Sequence, residues 1–224
     1  VGKTTMARLF AKALNGRGDK PADVAQAIME GRDVDVIEID AASNTKVEDT
    51  REMIANSVYR PLRSPYKIYI IDEVHMLSNA SFNALLKTME EPPEHVQFIL
   101  CTTESHKVPA TIQSRCQRFD FRNIATRSIA EHLKDVVKRE GVKADPGLLM
   151  AVARLGAGSM RDALTLLDRL MAAGEKTLTT TLLNELLGLA DRDLVDDLIG
   201  AFASGDAKTA LERADALVSQ GVSI

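Results

Sequence analysis

Short apolar runs alternate with longer amphipathic segments along the first 120 residues. The longer segments carry apolar positions at three- and four-residue spacing, which predicts helices, whereas the β-branched apolar runs predict strands. Because the runs are apolar throughout, both faces of each strand are expected to be covered. The pattern therefore predicts an α/β fold with a parallel sheet between two layers of helices. The predicted strands are DVDVIEID, ending at Asp40, KIYIIDE, from Lys67, VQFILCTT, from Val96, and CQRFDF, from Cys116.

The strand signal disappears after Arg122, and amphipathic helices follow one another. Three of these helices end at a glycine, where a C-cap is expected. Two more are predicted near residues 191–203 and 206–219. The C-cap glycines are Gly141, Gly156 and Gly174.

We therefore predict three domains. An α/β domain is expected over residues 1–122 and a three-helix domain over 123–186. The beginning of a third, helical domain is expected over 187–224.

Composition limits the kinds of partner and cofactor. The net charge is −4, so any contact with nucleic acid must come from a local basic patch. The candidates Arg60, Arg63 and Lys67 are better interpreted as a solvated loop. The only two cysteines, Cys101 and Cys116, predict neither a disulfide framework nor a zinc site and suit a reducing cytosol. No apolar run approaches the roughly 18 residues of a membrane span, so no membrane association is expected.

The stretch VGKTT at the start of the chain matches the second half of a phosphate-binding loop. In such a loop, backbone N–H groups surround the phosphates, Lys3 offsets their charge and the Thr4 hydroxyl ligates Mg²⁺. We expect the first strand, the adenine-contacting segment and the first loop glycine to lie upstream of Val1. The alternative interpretation is a glycine followed by an ordinary helix start.

Two adjacent carboxylates, Asp72 and Glu73, end the predicted strand KIYIIDE. Ligands of open α/β sheets bind at the carboxyl ends of the strands, so Asp72 is placed to hold Mg²⁺ and Glu73 to polarise water. A solvated acidic pair is the alternative. Thr102 and Thr103, at the end of the next strand, are candidates for holding the lytic water or sensing the γ-phosphate, and ordinary β-favouring threonines are the alternative.

Five segments together resemble one family, the gamma/tau clamp-loader ATPases of bacterial DNA polymerase III, within the AAA+ superfamily. The resemblance covers the whole chain apart from about residues 15–30. The S-R-C and G-S-x-R-D-A-L motifs are the most discriminating parts of the resemblance. The segments are VGKTTMARLFAKALN, IEIDAASNTKVEDTRE, YIIDEVHMLSNASFNALLKTMEEPPEHVQFILCTTE, TIQSRCQRFDF and GSMRDALTLLD.

The resemblance implies a P-loop AAA+ domain, a three-helix lid and the start of an oligomerisation collar. It implies that Arg115 reaches the ATP of a neighbouring subunit, that Arg161 of the lid touches the γ-phosphate of its own subunit, and that Thr103 senses phosphate. Asp40 and Ser43 lie where the superfamily restrains its catalytic glutamate. The implied ATP-binding residues are Gly2, Lys3, Thr4, Thr5, Asp72 and Arg161.

The implied cofactors are ATP and Mg²⁺, and the implied setting is the bacterial cytoplasm. The family usually has a four-cysteine zinc module before the strand IEID, but this segment holds no cysteine, so no zinc is expected. The implied partners are like subunits, delta- and delta-prime-type subunits, the sliding clamp, primer-template DNA and the polymerase core. A non-hydrolysing structural subunit, or a different AAA+ machine, remains an alternative.

Overall fold

The computed structural model describes residues 2–16, 21–43, 47–175, 177–188 and 192–219. These residues form two compact units, one over 2–121 and one that starts at Arg122. The three-domain division, with boundaries after residues 122 and 186, stays a prediction. Val1 of the phosphate-loop motif lies outside the described residues. No helix in the described part of the chain is long and apolar enough to cross a membrane.

The first unit alternates helices with three strands. A 3₁₀ turn follows each of the last two strands, at Val74–Met76 and Ser105–Lys107. The elements in chain order are α1 (Lys3–Asn15), α2 (Pro21–Met29), β1 (Val36–Asp40), α3 (Val47–Ser57), β2 (Lys67–Asp72), α4 (Asn79–Glu90), β3 (Val96–Leu100) and α5 (Ala110–Gln113).

The three strands form a parallel sheet in the order β1-β2-β3, with β2 in the centre. Residues of β2 alternate between two apolar clusters: Ile68 and Ile70 pack with α1 and α2, whereas Tyr69 and Ile71 pack with α3 and α4. Both faces of the sheet are therefore covered, which confirms the predicted fold class. The register aligns Asp40 with Asp72, so the carboxyl ends of the strands share one edge.

The prediction of a fourth strand over CQRFDF is wrong. Residues 116–121 have no regular secondary structure, and the Phe119 side chain is 70% exposed. A strand needs a neighbour with which to exchange main-chain hydrogen bonds. Among the described residues, no segment pairs with this one, so its β propensity is not realised.

The second unit contains the three predicted helices, which end one or two residues before the predicted glycines. Their apolar faces meet in one cluster that includes Ile129, Leu133, Leu148, Leu167 and Leu170. The helices of this unit in chain order are α6 (Thr126–Arg139), α7 (Pro146–Leu155), α8 (Met160–Ala172), α9 (Thr180–Leu187), α10 (Arg192–Ser204) and α11 (Ala207–Ser219).

The prediction of no strands after Arg122 is also wrong. Two parallel strands, β4 (Lys143–Ala144) and β5 (Thr177–Leu178), pair in this unit. Each is two residues long, which is too short to produce a recognisable hydrophobic pattern.

Candidate functional site

The start of α1 lies at the carboxyl edge of the sheet. Gly2 precedes the helix with φ of 82°, a left-handed conformation that glycine adopts without the steric cost of a side chain. Lys3 begins the helix, and the first N–H groups of an α-helix have no partner within it. These N–H groups and the positive end of the helix dipole favour a bound anion such as phosphate.

A hydrogen bond joins α1 to the end of β2. The Thr4 hydroxyl donates to Asp72 Oδ2 at 2.6 Å, although the two residues are 68 positions apart. The other oxygen of Asp72 accepts from the backbone N–H of Glu73 at 3.0 Å. A hydroxyl and a carboxylate are the hard oxygen donors that Mg²⁺ binds together with substrate phosphates. Thr4 and Asp72 therefore fit the predicted metal position in donor chemistry.

Glu73 is held in an unusual backbone conformation with φ of 45°, which is costly for a residue other than glycine. Its Oε2 atom accepts two hydrogen bonds from Thr103, from the hydroxyl at 2.9 Å and from the backbone N–H at 3.1 Å. The conformation and the two bonds fix the carboxylate beside Asp72. A glutamate in this position can accept a proton from a bound water.

His75 occupies a nearly buried position behind Glu73, with 8% of its side chain exposed. Its Nδ1 atom lies 2.9 Å from the Thr102 hydroxyl and 3.3 Å from Glu73 Oε2, and Nε2 lies 3.1 Å from Glu104 Oε2. A hydrogen bond from Lys107 holds the pKa of Glu104 below its usual value. The hydrogen bond between His75 and Thr102 thus links the ends of β2 and β3, while Thr103 contacts Glu73.

Lys3 lies at the same edge of the sheet, because it precedes Thr4 in the first turn of α1. The pKa of the Cys101 thiol is raised to about 11: burial is the largest cause, the charge of Asp72 adds to the rise, and the charge of Lys3 opposes it. Lys3 and Asp72 are therefore both within electrostatic range of one buried thiol. Of the predicted site residues, the structure brings together Gly2, Lys3, Thr4, Asp72, Glu73 and Thr103.

The remaining predicted residues are exposed, each in its own local surroundings. Thr5 is exposed on α1. Arg115 follows α5 and makes an ion pair with Glu90, and Arg161 is exposed in the first turn of α8, in the second unit. The Asp40 carboxylate accepts from the Ser43 hydroxyl at 3.0 Å.

Two of the three basic residues predicted to lie in a solvated loop make local contacts, and for Lys67 the loop prediction is wrong because it is the first residue of β2. Arg63 forms an ion pair with Asp33, and Lys67 donates to the main-chain carbonyl of Asn56 at 2.7 Å. Glu90 and Glu104 were not singled out from the sequence, since neither lies in a recognisable motif. Their contacts arise from tertiary packing.

The fold and this site define a AAA+ domain followed by a helical lid. A solved structure with a similar fold is the RuvB Holliday junction branch migration motor of Thermotoga maritima, with a TM-score of 0.61 and 18% identity over 90% of this chain and 64% of that one. At this identity the likeness concerns the fold alone.

Two family models match the chain. The model described as DNA polymerase III, delta subunit, matches residues 1–125, and the model described as DNA polymerase III clamp loader subunit, ATPase lid domain, matches residues 128–176. The chain belongs to the clamp-loader subunits of DNA polymerase III.

The similar curated proteins are gamma and tau subunits. The tau subunit of Escherichia coli is 43% identical over 99% of this chain, and the tau/gamma subunit of Haemophilus influenzae is 45% identical over 92%. The chain spans 36% and 31% of the lengths of these two relatives. The resemblance to the gamma/tau family is thereby confirmed.

Proposed function

We propose that this chain is the part of a bacterial clamp-loader subunit that binds and hydrolyses ATP, and that couples both steps to loading of a sliding clamp on primer-template DNA. The observation that carries the proposal is the 2.6 Å hydrogen bond between Thr4 and Asp72. It joins the two halves of a nucleotide site, the helix start that receives phosphate and the strand end that receives the metal.

In this proposal, ATP binds with its phosphates at the first turn of α1. Lys3 offsets the β/γ charge. Thr4 and Asp72 would hold Mg²⁺, which would supply neutralising charge at the same phosphates. Glu73 accepts a proton from the attacking water and so makes it a better nucleophile. Thr103 keeps the Glu73 carboxylate in place through its two hydrogen bonds.

Two arginines complete the proposed mechanism. Arg161 of the lid contacts the γ-phosphate bound by its own subunit, and Arg115 contacts the γ-phosphate bound by a neighbour. A trans arginine of this kind is worth about 10³–10⁵ in rate. DNA binding aligns Arg115, and hydrolysis then releases the clamp.

The proposed partners are like subunits, delta- and delta-prime-type subunits, the sliding clamp and the polymerase core, in the bacterial cytoplasm. ATP at subunit boundaries closes the assembly around an open clamp. The absence of zinc remains a sequence prediction, supported by the lack of cysteines between Asn15 and Asp33.

Binding of Mg²⁺–ATPγS tests the proposal directly. We expect calorimetry to detect binding to the chain and to lose it in Lys3→Ala, because the lysine offsets phosphate charge. An equal signal in both proteins, or none in either, would contradict a nucleotide site in this polypeptide. Binding without turnover in a reconstituted assembly would favour a non-hydrolysing structural subunit instead.

A further inference from the structure

The contacts of Arg115 include an acidic partner that the proposed mechanism does not use. Glu90, the last residue of α4, accepts a hydrogen bond from Arg115 Nη2 at 2.5 Å. The Thr111 carbonyl, on α5, accepts from Nη1 at 2.6 Å. We propose that Glu90 is a positioning residue that orients Arg115 for the nucleotide of a neighbouring subunit. This inference rests on the trans role of Arg115 in the proposed function.

The pairing leaves Arg115 able to bind a phosphate. A guanidinium has five N–H donors, and the bonds to Glu90 and Thr111 use two of them, which leaves three. An approach of Nη1 to the Ser114 hydroxyl, at 3.5 Å, is at the limit of a hydrogen bond. The Arg115 side chain is 35% exposed, so the remaining donors are accessible to a neighbour.

Two anchors on different helices restrict where the guanidinium can go. An unanchored arginine samples many rotamers and loses that freedom when it binds a phosphate. The anchors remove part of this loss before the neighbouring subunit arrives. A small error in the placement of a catalytic group can lower a rate by about 100-fold. Because Glu90 controls the placement of the Arg115 guanidinium, it affects the rate of hydrolysis through Arg115.

The Glu90 carboxylate has a second effect that opposes the first, because its charge reduces the attraction of Arg115 for phosphate. Whether hydrolysis becomes slower or faster when Glu90 is removed therefore distinguishes a positioning role from a neutralising role. If Glu90 mainly neutralised Arg115, its removal would speed hydrolysis. If Glu90 positions Arg115, its removal should slow hydrolysis. An uncharged hydrogen-bond acceptor at residue 90 should then be enough to keep Arg115 in place.

The experiment measures DNA-stimulated ATP hydrolysis in a reconstituted assembly with Glu90→Ala, Glu90→Gln and a matched control, Glu91→Ala. Glu91 is the next residue, exposed and of the same charge. We expect Glu90→Ala to lower kcat about 10-fold with little change in the KM for ATP. Glu90→Gln, which keeps an acceptor, and Glu91→Ala should stay within about threefold of the unsubstituted protein. An exposed ion pair contributes little to stability, so the variants should fold.

A double variant separates this inference from the proposed function. If Glu90 acts through Arg115, the pair Glu90→Ala, Arg115→Ala should be no slower than Arg115→Ala alone. Unchanged or faster hydrolysis in Glu90→Ala, or a further loss in the double variant, would overturn the inference and leave the trans role of Arg115 intact. Normal hydrolysis in Arg115→Ala would overturn both.

Discussion

Thr103 decides where the proposed catalytic carboxylate lies. Its hydroxyl and backbone N–H both donate to the same Glu73 oxygen, at 2.9 and 3.1 Å. Substitution by valine removes only the hydroxyl donor, because valine keeps the backbone N–H. A change at Thr103 therefore weakens the restraint on Glu73 and leaves the contact between Thr4 and Asp72 in place.

Replacing Thr103 by valine should reduce hydrolysis more than ATP binding. Valine has a shape similar to threonine but donates no hydrogen bond, so Glu73 gains freedom to leave its position beside Asp72. We expect single-turnover hydrolysis to fall about 10-fold, less than the roughly 10²–10⁴-fold contribution of a general base, because the backbone N–H still holds Glu73. The dissociation constant for ATPγS should change little.

The matched control for this variant is Thr103→Ser, which keeps the hydroxyl and should retain most of the rate. A weaker affinity for ATPγS with an unchanged rate would instead indicate that Thr103 contacts the nucleotide in the ground state. The proposed restraint on Glu73 would then be wrong.

Among the elements, the turn between α7 and α8 places the proposed lid arginine. Gly156 ends α7, and the Ser159 side chain caps α8 by accepting from the Asp162 N–H at 3.3 Å. Gly158 adopts φ of 84°, and its carbonyl accepts from the Ile124 N–H at 3.0 Å. Arg161 therefore lies in the first turn of a helix whose start is fixed by a tight turn and a cap.

Gly158→Ala should destabilise this unit. A Cβ atom there would lie 2.5 Å from Asn123 Cβ, in addition to the strain of a left-handed alanine. We expect a loss of about 2–4 kcal/mol in the free energy of unfolding, measured by urea denaturation.

Gly174→Ala is the matched control for Gly158→Ala. Gly174 has φ of 77°, and a Cβ atom added to it would meet nothing within 4 Å. Only the conformational cost of about 1–2 kcal/mol should therefore remain. Equal losses at the two glycines would contradict the close contact with Asn123.

The helices and strands of the chain show which elements can be predicted from sequence patterns. Helices α6, α7 and α8 carry a full apolar face and a terminal glycine, so their ends are predictable from local signals. The pair β4 and β5 is too short for any pattern, and residues 116–121 carry a strand pattern without a described partner. Strand formation depends on a neighbour that local sequence does not reveal.

In the candidate site, too, some features are predictable from local sequence and others are not. Thr4, Asp72 and Glu73 are predictable because a motif or a strand end identifies each of them. The bond from Thr103 to Glu73 and the pair between Arg115 and Glu90 span 30 and 25 residues. No local signal specifies such contacts, since packing of the helices against the sheet brings these side chains together.

At the scale of the whole molecule, the proposed site needs more than one copy of the chain. The nucleotide side consists of Lys3, Thr4, Asp72 and Glu73, whereas Arg115 makes its hydrogen bonds and ion pair with Glu90 and neighbours on α5. If Arg115 acts on a neighbour, one subunit supplies the binding site and another supplies the arginine. The two roles should then be separable by substitution in different subunits.

Mixing two inactive variants tests this division. Lys3→Ala subunits keep Arg115 but lose their own nucleotide site, and Arg115→Ala subunits keep the site but lose the arginine. In a random mixture of equal amounts, about a quarter of like-subunit interfaces join an intact site to an intact arginine, so DNA-stimulated hydrolysis should recover to a similar fraction. A mixture of Lys3→Ala subunits with the double variant Lys3→Ala, Arg115→Ala contains no intact site and should stay inactive. If the first mixture also stays inactive while each protein assembles and Arg115→Ala still binds ATPγS, Arg115 acts within its own subunit and the trans mechanism is wrong.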